Sequence, residues 1–479
     1  MIEIPILRHG RPYESVETAT LAHHATREPV ARLSIANSGL IARDISRMDA
    51  NALARIAMRD LFAMCRRAAE LFATATLPCG DRQQSFDDYI QSLSATTGMP
   101  VTYCRNNAAK IERVLQEIET VIAGLTRGVP PEVLDRGYGV AGGRTLSFHR
   151  VGRTFGAVLP SNSPGVHTLW IPAVALKTPI VLKPGREEPW TPLRVIAALT
   201  AAGVPREAFG FYPTDHQGAT TLLERVDRAM LFGDASTTRA WADDARIELH
   251  GPGYSKVLIG DDWVDQWPRH IDLMVESIAA NGGRSCINAS GVWAPRHGRE
   301  IAQALAERLA TVQALPADDP NASIAAFASP SVAERISEMI DRELREPGAT
   351  DLTQRVRGSS RLVRRGEIAY LLPTIIWCER PDHPLAQREY LMPYAAVTEC
   401  PIEEMPDRIG PTLIAAALTA DRSFARRLLA TGDIDRLNIG AIPTIRLSWD
   451  QPHEGNLFDL LYRRRALQVE SPDVLETPA

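Results

Sequence analysis

Residues 154–259 alternate short apolar runs with helical segments, and this alternation limits the fold more than any other feature of the sequence. Between the apolar runs, apolar residues recur at intervals of three and four, which is helical spacing. The alternation is typical of a mostly parallel sheet covered by helices on both faces, so we predict an α/β fold. Strands are expected at 155–159, 180–182, 209–212, 230–232 and 257–259, and helices at 166–176, 191–202, 218–225 and 236–245.

The predicted sheet directs attention to the residues that follow its strands. Ligands of open α/β sheets bind at the carboxyl ends of the strands. Four residues at or just after predicted strands or a strand-like run therefore become candidates for a binding or catalytic role: Asn162, Lys183, Gly233 and Glu248.

The rest of the chain adds a helical layer before this region and a second α/β layer after it. Helices are expected at 51–75 and 108–125, and later at 298–311 and 331–344. Strands are expected near 368–371 and 373–377. Because 479 residues are more than one hydrophobic core usually holds, we expect two or three domains.

Composition and charge exclude several classes of protein. The chain is 45% hydrophobic and 23% charged with a net charge of −5, which gives no reason to expect nucleic acid or a membrane surface as partner. No apolar run reaches the roughly 20 residues of a membrane helix, and the first residues lack the pattern of a signal peptide. The six cysteines are scattered without a Cys-x-x-Cys pair, so neither a metal site nor a disulfide framework is indicated, and we expect a reducing cytoplasm.

Residues 137–142 match the pattern Gly-x-Gly-x-x-Gly, but their context does not fit a dinucleotide-binding turn. That turn follows a buried strand and opens a helix. Here Pro130, Pro131 and a polar stretch precede the glycines, and residues 145–151 have strand character. We therefore predict a β-hairpin.

A single cysteine, Cys286, lies in the polar, glycine-containing stretch from Asn281 to Ser290. The upstream residues 267–280 have helical spacing, and Asn281, Gly282 and Gly283 are residues that end helices. We expect Cys286 on a tight loop, where exposed backbone N–H groups favour a thiolate. Two interpretations remain open, because a free cysteine is either a small buried hydrophobe or a nucleophile.

Several motifs, in their order and spacing, resemble those of the aldehyde dehydrogenase superfamily over nearly the whole chain. Pro160-Ser-Asn-Ser-Pro164 resembles its Pro-Trp-Asn-Phe-Pro, and Leu182-Lys-Pro its cofactor lysine. Leu231-Phe-Gly233 resembles Phe-x-Gly-Ser, Glu248-Leu-His-Gly251 resembles Glu-Leu-Gly-Gly, and Glu389-Tyr-Leu-Met-Pro393 resembles Glu-Ile-Phe-Gly-Pro. The Cys286 loop is similar to the nucleophile loop of the family.

The resemblance implies an aldehyde dehydrogenase-like α/β fold with a Rossmann-type cofactor domain, an α/β catalytic domain and a small β element for oligomerisation. The cofactor-binding domain would comprise residues 1–129 and 152–250, and the catalytic domain residues 251–442. Residues 130–151 and 443–479 would form the oligomerisation element of a homodimer or homotetramer.

The resemblance also implies a role for each motif residue. Cys286 would attack the aldehyde, while the Asn162 amide and the Cys286 backbone N–H hold the oxyanion. Glu248 would activate the water that hydrolyses the thioester. NAD or NADP would be bound by Pro160, Ser161, Lys183, Arg186, Gly233 and Glu389, and the substrate pocket would include Ser163, His167, Trp170, Arg284, Ser285 and Ile287, which fits an aromatic or moderately polar aldehyde.

Four departures from the family pattern leave alternatives open. Asp234 stands where a serine often lies beside the pyrophosphate. Arg186 replaces a ribose-binding acid, which favours tolerance of, or preference for, NADP, with the alternative that the adjacent Glu187 supplies the acid. Residues 391–393 and 453–458 also differ from the family motifs, and Met392-Pro393 is similar to the coenzyme A-acylating relatives. The expected reaction is hydrolytic because Glu248 is present. The alternatives are a coenzyme A-acylating enzyme and a catalytically silent family member.

Overall fold

The structure, a computed structural model, describes residues 1–452, 454–470 and 475. Two seven-stranded sheets dominate this part of the chain, and four smaller groups of strands surround them. The predicted α/β class is confirmed. The chain passes from the first large sheet to the second between strands Ile247–His250 and Lys256–Ile259. Among the described residues, no helix combines the length and the apolar character that crossing a membrane requires.

The first large sheet has five parallel strands and an antiparallel pair at one edge. Its central strand Phe155–Val158 is buried at every position, as expected for a strand with helices on both faces. The parallel register brings the ends of neighbouring strands to one edge, where Val158 pairs with Lys183 and Phe232 with His250. In spatial order the strands are Ile247–His250, Arg228–Phe232, Phe155–Val158, Ile180–Lys183, Phe209–Phe211, Ile6–Arg8 and Arg11–Tyr13.

Helices cover both faces of the first sheet, and most lie where their apolar spacing predicts. Four predicted helices have different limits. The helix expected at 236–245 ends at Arg239, because the Asp244 carboxylate accepts a hydrogen bond from Arg246 N (3.0 Å) and turns the chain into the next strand. The helix expected to start at residue 51 starts at Met58, and those expected at 108–125 and 166–176 are each divided into two. The helices are Ser38–Ser46, Met58–Thr74, Phe86–Thr97, Val101–Gln116, Ile118–Leu125, Pro131–Arg136, His167–Trp170, Pro172–Ala175, Trp190–Ala201, His216–Arg225 and Ala235–Arg239.

The second large sheet has six parallel strands and one antiparallel edge strand. Its long strand Thr412–Leu418 is buried throughout. In spatial order the strands are Ala349–Asp351, Thr374–Cys378, Tyr394–Glu399, Gly291–Ala294, Lys256–Ile259, Thr412–Leu418 and Ile434–Ile439. The accompanying helices are Ile271–Ala279, Gly298–Leu309, Pro330–Glu343, Leu352–Arg357, Met405–Arg408 and Arg422–Ala430.

The glycine-rich stretch at 137–142 forms a β-hairpin, which confirms the prediction. Strand Tyr138–Ala141 pairs antiparallel with Arg144–Arg150, and Tyr462–Arg464, after helix Leu457–Leu461, adds a third strand. The predicted oligomerisation element also includes residues 453, 471–474 and 476–479, which lie outside the described residues. The remaining strands are Ile2–Ile4 and Thr18–Ala22 with Pro29–Ser34, Leu77–Cys79 with Arg82–Gln84, and Leu362–Arg365 with Ile368–Leu371.

Candidate active site

A cavity of about 390 Å³ lies where the carboxyl edge of the first sheet faces the Cys286 loop. This is the place where open α/β sheets bind ligands. The segment after strand Phe155–Val158, the ends of the two neighbouring strands and the turn around Glu389 all contribute to its wall. Its lining includes Lys110, Pro160, Asn162, Ser163, Phe232, Gly233, Asp234, His250, Ser285, Cys286, Ile287, Glu389 and Glu454.

Left-handed backbone positions carry the chain from helix Ile271–Ala279 into the Cys286 loop. Asn281 has a φ of 54°, and Gly282 and Gly283 each have a φ of 66°. Gly283 also lies directly against the turn that carries Glu389, since a Cβ there would lie 2.3 Å from Pro393 N. Glycine is therefore required at Gly283 for space as well as for conformation.

Asn288 folds the Cys286 loop into a compact turn. Its side-chain oxygen accepts a hydrogen bond from Ser285 N (3.0 Å), and its backbone N–H donates to Ser285 O (2.9 Å). Its side-chain amide donates to Ala280 O at 2.9 Å. The Cys286 loop is thus held by a side chain of its own, that of Asn288, which gives Cys286 a fixed position.

Cys286 differs from the other five cysteines, all of which lie in the described part of the chain. It is half-buried at the cavity, whereas the others are buried. Burial and the nearby carboxylates of Glu454 and Glu389 raise the pKa of the Cys286 thiol well above its ordinary value. The resting group is therefore a neutral thiol. The backbone N–H groups of Cys286 and Ile287 lower the pKa of this thiol, as expected of the loop, but their effect is smaller than that of burial and the two carboxylates.

Asn162 and Ser163 are tied to the Cys286 loop by hydrogen bonds. The Asn162 amide donates to Arg284 O at 2.8 Å, and Asn281 donates to the hydroxyls of Ser163 (3.2 Å) and Ser285 (3.0 Å). Asn107, on helix Val101–Gln116, donates to Asn281 Oδ1 at 2.7 Å. These bonds join the first sheet, its helical layer and the loop, which fixes the Asn162 amide relative to the Cys286 thiol.

Glu389 lies at the cavity beside the loop that supports Cys286. Its carboxylate accepts hydrogen bonds from the backbone N–H groups of Gly253 (3.2 Å) and Tyr254 (2.6 Å). Burial raises the pKa of Glu389 to about 7, although these N–H groups and Lys256 act in the opposite direction. Gly253 in turn lies against Cys286, because a Cβ there would lie 2.0 Å from Cys286 O.

Glu248 lies outside the residues that line the cavity. Its carboxylate lies against the backbone of Gly455, since a Cβ there would lie 2.4 Å from Glu248 Cδ. His250 separates it from a second carboxylate. His250 Nε2 is 3.1 Å from Glu248 Oε1, and His250 Nδ1 is 3.0 Å from Glu454 Oε1. These distances are those of ion pairs, while their angles are poor for hydrogen bonds.

The protonation of His250 follows from its neighbours. Burial alone lowers the pKa of a histidine, but the Glu454 and Glu248 carboxylates raise the pKa of His250 to about 9. The imidazole is therefore a cation at neutral pH. Its ring stacks on Phe232, with centroids 4.4 Å apart and planes inclined by 13°.

The predicted cofactor residues follow the strands of the first sheet, as their sequence positions indicate. Lys183 ends strand Ile180–Lys183, and burial lowers the pKa of its ammonium, against the effect of Glu187. Ser161 accepts a hydrogen bond from Glu187 N at 3.1 Å, which joins the two loops, while Arg186 is exposed. Asp234 caps helix Ala235–Arg239 by accepting from Thr237 N (2.9 Å).

Three residues expected in the substrate pocket lie elsewhere. His167 and Trp170 are fully buried in the core, where His167 contacts Glu188 at 2.7 Å and accepts a hydrogen bond from Trp170 Nε1 at 2.9 Å. Arg284 is also buried, stacked on Phe327 with its guanidinium 4.7 Å from the ring centroid. These contacts correct the expectation, because each side chain is used in packing. Ser163, Ser285 and Ile287 line the cavity.

Sequence reasoning missed His250, Glu454, Lys110 and Asn107. His250 belongs to the motif Glu248-Leu-His-Gly251, so the sequence does place it near Glu248. Glu454 comes from a stretch that departs from the family pattern and reaches the site across 168 residues of chain. Lys110 and Asn107 belong to a helical layer that carries no local signal of chemistry. Burial lowers the pKa of Lys110.

A second, smaller hollow adjoins the Cys286 cavity. Its volume is about 50 Å³, and it shares Thr168, Leu169, Leu447 and Glu454 with the larger cavity. The two hollows are therefore separated by a common wall. The remaining lining of the smaller hollow includes Val114, Val121, Leu125, Pro172, Met230, Arg436, Trp449 and Leu457.

Known proteins resemble this chain in sequence. The model of the aldehyde dehydrogenase family matches residues 14–406. Betaine aldehyde dehydrogenases of Cereibacter sphaeroides and Vibrio vulnificus are 27% and 26% identical to it over 288 residues. Each match covers 56% of this chain and 57% of the relative, so the chain spans little more than half the length of these relatives.

Solved structures resemble the chain over nearly its whole length. The aldehyde dehydrogenase KauB from Pseudomonas aeruginosa has a TM-score of 0.79 at 17% identity, covering 98% of this chain and 96% of that one. An indole-3-acetaldehyde dehydrogenase of P. syringae in complex with NAD+ has a TM-score of 0.78 at 17% identity, covering 97% and 96%. These likenesses show the fold. Because the family model matches well over half of its residues, this chain belongs to the aldehyde dehydrogenase family.

Proposed function

We propose that this protein oxidises an aldehyde to the carboxylic acid with NAD or NADP, and that Cys286 is the nucleophile. The observation that carries the proposal is the place of Cys286. It is the half-buried cysteine, it lines the cavity at the carboxyl edge of the first sheet, and it lies on a loop tied to the Asn162 amide. Family membership supports the reaction class.

The residues at the sheet edge fit a nicotinamide dinucleotide. Pro160, Gly233 and Glu389 line the same cavity as Cys286, and Lys183 ends an adjacent strand. Asp234 uses its carboxylate to cap a helix, so its charge is partly compensated there by backbone and hydroxyl donors. Pro160, Ser161, Lys183, Arg186, Gly233 and Glu389 would hold the cofactor, with Glu389 and Lys183 bonding its two riboses. When bound, the cofactor supplies the hydride acceptor.

The first step requires that the Cys286 thiol lose its proton. Thiolate is the nucleophilic form, and the raised pKa of this thiol means that a base must accept the proton. The sulfur then attacks the aldehyde carbon. An amide nitrogen carries two hydrogens, so one Asn162 N–H holds the loop at Arg284 O while the other, with the Cys286 backbone N–H, stabilises the oxyanion.

Loss of hydride leaves a thioester on Cys286, which water hydrolyses with the help of a general base. Glu248, the base expected from the sequence, reaches the cavity through His250 and Glu454. Glu248 and Glu454 supply the carboxylates that the hydrolytic step needs as a general base, and His250 connects them.

The substrate class follows only in outline. The Cys286 cavity presents hydroxyls of Ser163 and Ser285, and the adjoining hollow is largely apolar. We propose a small aldehyde with an apolar body. The curated relatives are betaine aldehyde dehydrogenases, so betaine aldehyde, a quaternary ammonium cation outside this class, is the contrasting compound to test. We also propose a homodimer or homotetramer, built through the hairpin at 138–150 and the strand paired with it.

The test is formation of reduced cofactor by the purified chain with a panel of aldehydes, with NAD or NADP, and with or without coenzyme A. Turnover without coenzyme A that disappears in Cys286→Ala supports the proposal. Cys79→Ala, which alters a buried cysteine outside the cavity, is the matched control and should keep activity. Turnover only with coenzyme A would assign the acylating reaction instead, and no turnover with any aldehyde would refute the proposal.

A further inference from the structure

We propose that Glu454, held in place by His250, is the base that takes the proton from the Cys286 thiol and later from the hydrolytic water. This inference rests on the proposed thioester chemistry at Cys286 and assigns its proton transfers to one carboxylate. His250 is a positioning residue in this scheme, and Glu248 acts only through His250.

The contacts of Glu454 carry the inference. One carboxylate oxygen, Oε2, is 3.9 Å from Cys286 Sγ, and the other, Oε1, is 3.0 Å from His250 Nδ1. The side chain is 12% exposed and lines both the Cys286 cavity and the adjoining apolar hollow. A carboxylate in this place reaches the thiol and any water that enters the cavity next to it.

Glu248 lacks such access. The backbone of Gly455 lies on its carboxylate, and the His250 ring lies between it and Glu454. Gly455 directly follows Glu454 in the chain, so the turn that brings Glu454 to the thiol also packs on the Glu248 carboxylate, which is 18% exposed but does not line the cavity. The two carboxylates therefore have different roles, set by one short segment.

His250 accounts for an ionised Glu454 in a site crowded with acids. Two carboxylates that share a low-dielectric site repel each other, and one of them then tends to keep its proton. A protonated imidazole between Glu248 and Glu454 removes this repulsion, and the Phe232 ring below it suits a cation. The other charged groups around the site are Lys110, Asp234 and Glu389 on the cavity wall, Lys256 beside Glu389, Asp435 near Glu454, and Arg436 in the adjoining hollow.

The proton and electron balance is simple. The Sγ–H proton passes to Glu454 Oε2 as the sulfur becomes a thiolate, and Glu454 releases that proton to solvent. In hydrolysis a water proton passes to Glu454 while the water oxygen forms a bond to the acyl carbon. The C–S bond then breaks, and Cys286 leaves as a thiolate. These transfers involve no oxidation.

The test uses the full chain without cofactor and the activated ester 4-nitrophenyl acetate. The Cys286 thiolate displaces 4-nitrophenolate in a burst, and water must then hydrolyse the acetyl thioester. We expect Glu454→Gln to slow hydrolysis about 100-fold, the usual scale of general-base catalysis. Glu248→Gln should slow it only a few-fold, about threefold, because Glu248 acts through His250. Asp459→Asn alters an exposed carboxylate on helix Leu457–Leu461 that pairs with Arg127; it is the control and should match the parent.

A second readout separates a base from a structural role. We would measure the rate of Cys286 alkylation by iodoacetamide against pH. Removing the Glu454 charge lowers the pKa of the thiol, so Glu454→Gln should alkylate faster near pH 7, by about threefold or more, although it hydrolyses more slowly. His250→Gln removes a cation and should shift the alkylation midpoint to higher pH.

The outcomes decide between the two glutamates. Hydrolysis lost in Glu248→Gln but kept in Glu454→Gln would overturn the proposal, as would a parent protein that forms the acetyl thioester and never hydrolyses it. If Glu454→Gln does not fold, Glu454→Asp shortens the carboxylate, and unchanged hydrolysis in that variant would also overturn it. Absence of aldehyde oxidation together with Glu454-dependent ester hydrolysis would refute the proposed function and leave this inference standing.

Discussion

Gly282 and Gly283 offer a matched pair of substitutions that tests how the Cys286 loop is positioned. Both residues have a φ of 66°, and both precede Cys286 on the same turn. A Cβ at Gly282 would lie 3.5 Å from Tyr103 Cε2, which is an ordinary contact, whereas a Cβ at Gly283 would lie 2.3 Å from Pro393 N. Alanine at the two positions therefore has the same backbone strain and a different steric cost.

The expected magnitudes follow from these distances. Left-handed backbone costs a non-glycine residue about 1–2 kcal/mol, and this cost applies to both variants. Gly283→Ala also forces the loop and the turn at Pro393 apart by about 1 Å, at a cost of about 1–3 kcal/mol for overpacking. Because a displacement of that size at a reacting centre can cost about 100-fold in rate, Gly283→Ala should be far less active than Gly282→Ala.

The assay is kcat/KM for aldehyde oxidation, measured beside urea unfolding of each variant. We expect Gly282→Ala to lose stability with a small loss of activity, and Gly283→Ala to lose more of both. Equal activities in the two variants would contradict this prediction, because the difference in Cβ contacts would then have no effect on the position of Cys286.

Three further predictions concern the bonds and charges around the site. Asn281→Gly keeps a permissive backbone but removes the bonds to Ser163 and Ser285, so kcat should fall about tenfold to a hundredfold; an unchanged kcat would contradict this. Burial raises the pKa of Glu389 from 4.5 to about 7, so the folded state binds more protons than the unfolded state in that window, and stability should fall as pH rises through it. Urea unfolding against pH should show a weaker fall in Glu389→Gln, and equal falls would contradict the assignment. Arg186→Ala should lower kcat/KM for NADP about tenfold and leave the value for NAD nearly unchanged, because a guanidinium suits a phosphate; equal effects on both cofactors would exclude that role.

The fold was largely predictable from the sequence because its signals are local. Alternating apolar runs and helical spacing indicate the parallel sheet, and Pro130 and Pro131 before the glycines at 137–142 indicate a hairpin. Helix limits were less predictable. The helix that ends at Arg239 depends on a side-chain bond from Arg246 to Asp244, and spacing alone does not reveal such a bond.

The site was predictable only in part, because its side chains meet across long stretches of chain. Cys286 has a local signal in the glycines before it. His167 is a polar residue of the kind expected in a substrate pocket. Its buried partner Glu188, however, lies 21 residues away in the chain and holds it in the core. The approach of Glu454 to Cys286 depends on the path of the tail, so no local pattern distinguishes Glu454 from Glu248 as the carboxylate at the thiol.

The proposed mechanism requires that the aldehyde become an acyl group on Cys286 before water releases it. The most direct measurement is mass spectrometry of peptides from the Glu454→Gln variant, quenched in acid during turnover with an aldehyde and the oxidised cofactor. We expect the acyl mass on the peptide that contains Cys286, because slowed hydrolysis allows the thioester to accumulate. Turnover without an acyl group on any cysteine, or with the acyl group on another cysteine, would contradict the mechanism.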